Sequence, residues 1–496
     1  MKPSPYQREI YKQFQETKYN INISAVAGSG KTTVLVKLLE YVPDDKSAIF
    51  LAFNNSIVDE LRQRTPEREG ITVSTLHSYG WRGILMAYGS KQAKLNPDKL
   101  IGKVEKALKG KEYHEGRKGY YFYIIPKIVD LMRCNLIEPE EEDIVEMLEK
   151  YNIDVGEFEL KLAIEVFNLS NADKRQFDFM DMIYQPIFDK HIRLKKYDYV
   201  FCDESQDFSL AQHEIIKKAI ARGGRLVTVG DKQQSIYGFA GADVNSYERL
   251  ASLNGESLQL PLSVSYRCAK AIVLEAQKYV PEIFFAPNAD EGEVINGSLQ
   301  DIRDGDWVIC RNLKPLVVTY LWLLKSKVKS KIRGKDLGNG IISLVNKTGT
   351  KTLNGLSVML ENECEKCRKK LIKKGIKYPE KHPSLINLME QVDVIQFLSN
   401  EVNSISELKT MICNIFSDDT EGILLSTIHK SKGLENHKIF FILPELIPSQ
   451  YATQDWQIEQ EYNLKYVGIT RAKKSLVYVN NPSFIIDTTT PLQKQI

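Results

Sequence analysis

Eight consecutive residues carry the most explicit chemistry in the sequence: Ala25, Val26, Ala27, Gly28, Ser29, Gly30, Lys31 and Thr32. Glycines between a buried strand and a helix let the backbone wrap a phosphate chain, with peptide N–H groups and the helix N-terminus facing its charge. Lys31 has the reach to meet β and γ phosphates, the Thr32 hydroxyl can ligate Mg²⁺, and Thr33 follows in the first turn of the helix. The usual GxxxxGK[ST] pattern opens on glycine, whereas this chain has Ala25. Without its flanks the segment would read as an ordinary glycine-rich turn. The apolar strand before it and the amphipathic helix after it point to a nucleotide.

A phosphate loop of this kind needs an acidic partner. The apolar run Tyr197 to Cys202 ends in Asp203-Glu204-Ser205-Gln206-Asp207. A carboxylate at a strand tip suits a magnesium ion, which prefers oxygen ligands. Asp203 is the metal candidate, and Glu204 the candidate for orienting and deprotonating an attacking water. Phosphoryl transfer also calls for positive charge, often an arginine contributed across an interface. Arg267, in Leu262 to Cys268, and Arg471, in Tyr466 to Lys473, have suggestive surroundings, but composition alone does not separate them from other basic residues.

The elements that must position these groups follow from hydrophobic period. Ile21–Ala25, Ala48–Phe53, Asp198–Cys202 and Arg225–Val229 read as buried strands, with helices at Lys31–Tyr41 and Ser56–Arg64. The pattern returns at Trp307–Cys310, Ile423–Thr427, Lys438–Ile442 and Ser475–Val479. Strands alternating with helices predict parallel sheets covered on both faces. Two stretches with helical period interrupt the alternation. At 496 residues the chain is long enough for more than one core. The expected division is 1-81 with 174-258, then 82-173 as a helical insertion, 259-342 with 422-496, and 343-421 as a short basic insertion.

Other features exclude more than they assign. The net charge of +3 is too mild to prove a nucleic-acid partner. No apolar run approaches the ~18 residues needed to span a bilayer, and the first residues lack a secretory core, so a cytoplasmic protein without a membrane partner is expected. Seven scattered cysteines describe no disulfide framework. Cys364 and Cys367 form a CxxC without further metal ligands nearby and read as helix residues. The acidic run Glu138 to Asp143 reads as a solvated helix face. From Lys325 to Lys335 a basic residue stands at every second position. With a strand's period six cations would share one face, either a soluble sheet edge or a track for phosphates.

In order along the chain these motifs resemble the UvrD/Rep/PcrA group of superfamily 1 DNA helicases, subfamily A, with details similar to the F-box DNA helicase branch. Gln7 resembles the adenine-reading glutamine. Phe53-Asn54, within Phe50 to Ser56, and His77, within Thr75 to Ser78, resemble segments that touch DNA. Asp178 to Met182 resembles the stretch before the acidic box. Val229 to Ala242 resembles the coupling motif, implying that Gln234 senses the γ-phosphate while Tyr237 and Phe239 face DNA. Tyr266 and Arg267 resemble the adenine-stacking and phosphate-sensing pair. Thr427, His429 and Lys432 resemble DNA contacts, Glu435 a ribose holder, and Arg471 an arginine finger.

The resemblance implies two recA-like P-loop domains with parallel sheets, each carrying a mainly helical insertion, and ATP with Mg²⁺ as cofactors. The partners it implies are single-stranded DNA and duplex junctions, and a nucleoid or nuclear setting follows. The implied activity is ATP-dependent 3′ to 5′ movement and unwinding. A nucleotide-gated DNA sensor that recruits an effector, or a translocase that strips proteins from DNA, are the alternatives. Two departures bear on this. Phe239 and Ala240 stand where the family usually has tryptophan and arginine, and the second insertion is short.

Overall fold

The computed structural model describes residues 3–52, 55–64, 68–113, 117–151, 153–236, 241–243, 245–373, 376, 378–417, 422–450, 452 and 455–480. Two parallel sheets organise them. The first contains β1 (Asn20–Ala25), β2 (Ala48–Ala52), β3 (Ile71–Thr75), β4 (Tyr197–Cys202), β5 (Ile220–Gly230) and β6 (Ser257–Leu262), in the order β3-β2-β4-β5-β1-β6. The second contains β7 (Glu293–Asn296), β8 (Trp307–Cys310), β9 (Ser330–Arg333), β10 (Phe416–Ser417), β11 (Ile423–Thr427), β12 (Asn436–Ile442) and β13 (Ala472–Val479). Their order is β7-β13-β12-β8-β11-β9-β10.

Central strands are buried because helices cover both faces. Ala48, Ile49, Phe50 and Leu51 of β2 are all fully buried, for example. Strand β1 lies between β5 and β6, so its carboxyl end opens where the chain order of the sheet reverses, the usual place for a ligand in such sheets. No helix among the described residues is long and apolar enough to cross a membrane.

Several expected boundaries shift. The cut at 258/259 falls inside β6, which pairs with β1 along its full length, so the first lobe runs through Leu262. The cut at 342/343 falls inside the helix Lys335–Thr348. The alternating lysines do not form one strand. Lys325 ends the helix Leu313–Lys325, Lys327 takes a left-handed turn with φ 58°, and Lys335 begins the next helix. Only Lys331 and Arg333 lie on β9, and β9 is flanked by β11 and β10, so it is neither a sheet edge nor a continuous cationic track. The apolar face of Leu313–Lys325, with Leu316, Val317, Leu321 and Leu323 buried, outweighs the local period of two. Cys364 and Cys367 sit on the helix Leu353–Lys373 and pack near Leu371 and Leu385. Glu141, Glu142 and Asp143 form the exposed first turn of Glu141–Lys150, where negative charge complements the helix dipole.

The first insertion is helical, as its period suggests, with helices at Lys99–Leu108, Lys118–Cys134, Glu141–Lys150 and Glu157–Asn171 around a shared core. A buried ion cluster bolts it to the first lobe. Arg133 donates to Asp178 Oδ2 at 2.9 Å and lies 3.3 Å from Asp181, which also takes Lys99 Nζ at 2.6 Å. The side chains of Arg133, Lys99 and Asp181 are fully buried. Asp178 and Asp181 also accept each other's backbone N–H, both at 2.8 Å, which fixes the turn into the helix Asp181–Phe188. Removing one partner leaves uncompensated charge in the core. Arg133→Ala should therefore cost about 3–5 kcal/mol of stability, measured by urea denaturation. Amide exchange should then accelerate first between Lys99 and Tyr184, and an unchanged midpoint would contradict the bolt.

Candidate active site in the seam between the lobes

The loop after β1 turns through Gly28 at φ 70° and Gly30 at φ 81°, left-handed conformations that suit glycine. Lys31 then opens the helix Lys31–Glu40. The acidic turn follows β4, two strands away, and faces this loop. Lys31 Nζ pairs with Glu204 Oε2 at 2.8 Å, and Thr32 Oγ1 donates to Asp203 Oδ2 at 2.8 Å. Glu204 itself sits at φ 55°, a strained conformation for a residue with a side chain and one found preferentially at functional sites.

Gln206 wires the neighbouring strand tips together. Its Nε2 donates to Glu204 Oε2 at 2.7 Å and to Asp207 Oδ2 at 3.0 Å, while its Oε1 accepts the Asp231 N–H at 3.0 Å. Asp231 follows β5, and its Oδ2 accepts Gln234 Nε2 at 2.7 Å. Gln234 is therefore held beside the acidic turn by its own strand's carboxylate.

The second lobe closes directly over this arrangement. Val26 and Ala27 pack into the second lobe's core with Cys268, Ile272, Tyr466 and Val467. Tyr266 N–H donates to the Gly28 carbonyl at 2.8 Å. A Cβ added at Gly28 would run into Arg267 Cβ and come within 2.8 Å of Ser265 Oγ. The loop glycine thus serves the opposite lobe as well as the loop.

Arg267 reaches the phosphate loop and is paired with Glu435, which also takes Lys473 Nζ at 2.9 Å. Arg471 is near this group, but its donors are engaged within its own lobe. They go to the Val467 carbonyl at 2.9 Å, the Leu434 carbonyl at 3.0 Å and Thr470 Oγ1 at 3.1 Å. Burial and the adjacent Arg267 bring its pKa down to about 10. Gln7 is buried at the other end of the loop, its Nε2 3.8 Å from where a Gly30 Cβ would stand, and its Oε1 caps its own helix by accepting Ser4 N–H at 2.9 Å.

Of the residues expected to meet DNA, Phe53, Asn54, Tyr237 and Phe239 lie outside the described residues, as does Ala240. His77 and His429 occupy matching corners of the two lobes. Strand β3 ends in Ser74-Thr75 and β11 in Ser426-Thr427. Each threonine caps the next helix, accepting Ser78 N–H at 3.1 Å and Lys430 N–H at 3.4 Å respectively. Burial keeps both imidazoles neutral, with His429 pushed down to about 3 by burial and the cations Arg311 and Lys430. Lys432 departs from expectation. Its ammonium is buried and crosses the seam to both Asp207 oxygens at 2.7 Å and to the Gln234 carbonyl.

Sequence reasoning gave no role to Asp207, Asp231, Gln206 or Tyr466. The signal for Tyr466 is faint, a single hydroxyl in a helix end otherwise lined by Leu464, Val467 and Ile469. Its partners are far away in the chain.

The donor set fits a magnesium triphosphate. Thr32 and Asp203 present hard oxygens side by side, and Ser29 Oγ is buried in the loop without a hydrogen-bond partner. Burial, reinforced by the Glu204 charge, raises Asp203 to about 6. Burial acts in the same direction on Glu204, but the Lys31 and Lys432 charges and the Gln206 amide hold it down at about 2. Burial also lifts Asp207 and Asp231 to about 6.

A raised carboxyl carries its proton in the folded state, so stability from these three groups is present below the ordinary carboxylate range and is lost as pH rises through about 6. Divalent ions need the carboxylate form. The apparent affinity for Mg²⁺ with a non-hydrolysable ATP analogue should therefore be flat above pH 6 and fall about tenfold per unit below it. Asp203→Asn should weaken binding and flatten the profile, and a wild-type titration that is flat from pH 5 to 8 would contradict this assignment.

Comparison with known proteins agrees with the two-lobed design. Residues 5–253 match the UvrD/REP helicase N-terminal domain and residues 260–481 the UvrD-like helicase C-terminal domain. F-box DNA helicase protein 1 of Schizosaccharomyces pombe is 21% identical over 92% of this chain and 55% of its own length. F-box DNA helicase 1 of Gallus gallus is 23% identical over 92% of this chain and 47% of its own length. ATP-dependent DNA helicase PcrA of Bacillus subtilis is 23% identical over 96% of this chain and 82% of its own length. The chain thus spans about half the length of the F-box relatives.

Proposed function

Since this chain belongs to the UvrD/REP helicase family, we propose that it is an ATP-driven motor that moves along single-stranded DNA and separates duplexes. The observation that carries the proposal is the seating of the phosphate loop in the seam, with Val26 and Ala27 in the opposite lobe's core and Arg267 against Gly28. Nucleotide bound there touches both lobes, so its hydrolysis can change their spacing. The 3′ to 5′ polarity follows from the resemblance alone.

The residues act in sequence. An entering triphosphate draws the Lys31 ammonium from Glu204 toward its own oxygens. Losing that pair lets the Glu204 carboxylate recover basicity, so the base is engaged only when substrate is present. Thr32 and Asp203 would hold Mg²⁺, which neutralises phosphate charge when bound. Arg267 exchanges Glu435 for phosphate, and Arg471 leaves the carbonyls of Val467 and Leu434 to complete the positive cage. Glu435, released, can accept from a ribose hydroxyl. The Gln7 amide stands at the base-proximal end. On the DNA side, the matching corners with His77 and His429 give each lobe a contact point at a strand tip. Neutral imidazoles there favour sequence-tolerant contact over ionic attraction.

Wild-type protein should show ATPase activity stimulated by single-stranded DNA and should separate a forked duplex bearing a 3′ tail. Lys31→Ala and Glu204→Gln should each lower turnover by at least about 100-fold while single-strand binding, read by fluorescence anisotropy, persists. ATPase indifferent to DNA would overturn the motor. DNA-stimulated ATPase without strand displacement would favour the nucleotide-gated sensor.

A further inference from the structure

Tyr466 lies in the helix Asp455–Ile469 of the second lobe and is fully buried, yet both hydrogen bonds of its hydroxyl are made to the first lobe. Its hydroxyl accepts the Ala27 N–H at 2.8 Å and donates to Asp231 Oδ2 at 3.2 Å. That same Asp231 oxygen accepts Gln234 Nε2 at 2.7 Å. The other end of the segment is also held from across the seam, because Lys432 donates to the Gln234 carbonyl. The four residues from Asp231 to Gln234 are therefore gripped at both ends by side chains of the opposite lobe.

We infer that the Tyr466 phenol is a positioning residue that relays the conformation of the phosphate loop to Gln234 through the opposite lobe. This deepens the proposed function and rests on it. Backbone N–H groups of such loops ordinarily face phosphate, whereas the Ala27 N–H is directed at the phenol. When the loop tightens around a phosphate chain, the Ala27 N–H moves and the phenol moves with it. Asp231 then loses or gains its second donor, and the competition for one oxygen decides where the Gln234 amide is placed relative to the nucleotide. A phenol suits this relay because it accepts and donates through a single atom. Burial and the Asp231 charge keep it protonated.

Tyr466→Phe removes that atom and keeps the ring. With the protein folded, nucleotide affinity measured with a fluorescent ATP analogue should stay within about threefold, while kcat for ATP hydrolysis falls about tenfold or more. Asp231→Asn should produce the same split. Because both changes act on one amide, the double variant should be no slower than the slower single variant. A hydroxyl that only stabilises the seam would instead lower the melting temperature and leave kcat within twofold, and independent roles would make the losses multiply. Either result overturns the relay. If Tyr466→Phe does not fold, Asp231→Asn alone decides, since an unchanged kcat there leaves Gln234 without a relay. The split is readable with or without DNA stimulation of the wild type, so failure of the relay and failure of the motor are distinguishable. A wild type without any ATPase would sink both.

Discussion

The seam between the lobes carries an imbalance of charge, and the rest of the structure is arranged around it. Asp203, Glu204, Asp207 and Asp231 crowd into a space where Lys31 and Lys432 are the cations paired with them. Burying like charges together is unfavourable unless protons or cations compensate them. This explains why three of the four carboxyls hold protons to unusually high pH, and why only Glu204, beside both ammonium groups, stays ionised. It also explains why the opposite lobe contributes a buried lysine here. A site built this way is short of positive charge, a deficit that suits a divalent ion at the place where the lobes meet.

The parallel sheets impose the complementary constraint. Each segment of the candidate site leaves the carboxyl end of a strand in the first sheet: the glycine loop from β1, the acidic turn from β4 and the Asp231–Gln234 segment from β5. Neighbouring strands bring these turns together without any of them being close in sequence. The buried cluster of Arg133, Lys99, Asp178 and Asp181 then fixes the helical insertion against the same lobe. The Asp178 to Met182 segment thus has a structural explanation as an anchor.

Much of this was legible in the sequence, for identifiable reasons. Central strands such as β2 and β8 are continuous apolar runs and declare themselves. Strands β3 and β6 escaped because they lie at the sheet's edges, where the half-exposed Thr72 and the exposed Gln259 interrupt the apolar signal. The lysines from 325 to 335 misled because a helix end, a turn, a four-residue strand and a helix start happen to place cations at alternate positions. The phosphate loop and acidic turn were legible because their chemistry is local. Lys432 and Tyr466 were not, since their partners lie 225 and 439 residues away in the chain and the sequence carries no record of that meeting. Arg471 shows the same limit, for its residue type is apparent but its attachment to three acceptors of its own lobe is not.

Gly28 has a consequence for how such a chain can change over generations. Its missing side chain leaves room for the phosphate loop to curve and for Arg267 of the other lobe to lie flush against it. A methyl group there would act as a doorstop, propping the halves apart whether or not ligand had arrived. Two unrelated demands, one from backbone curvature and one from a surface folded more than two hundred residues later, therefore converge on one hydrogen atom. No change at Gly28 can relax one demand without meeting the other, and adjustment is left to the residues around it.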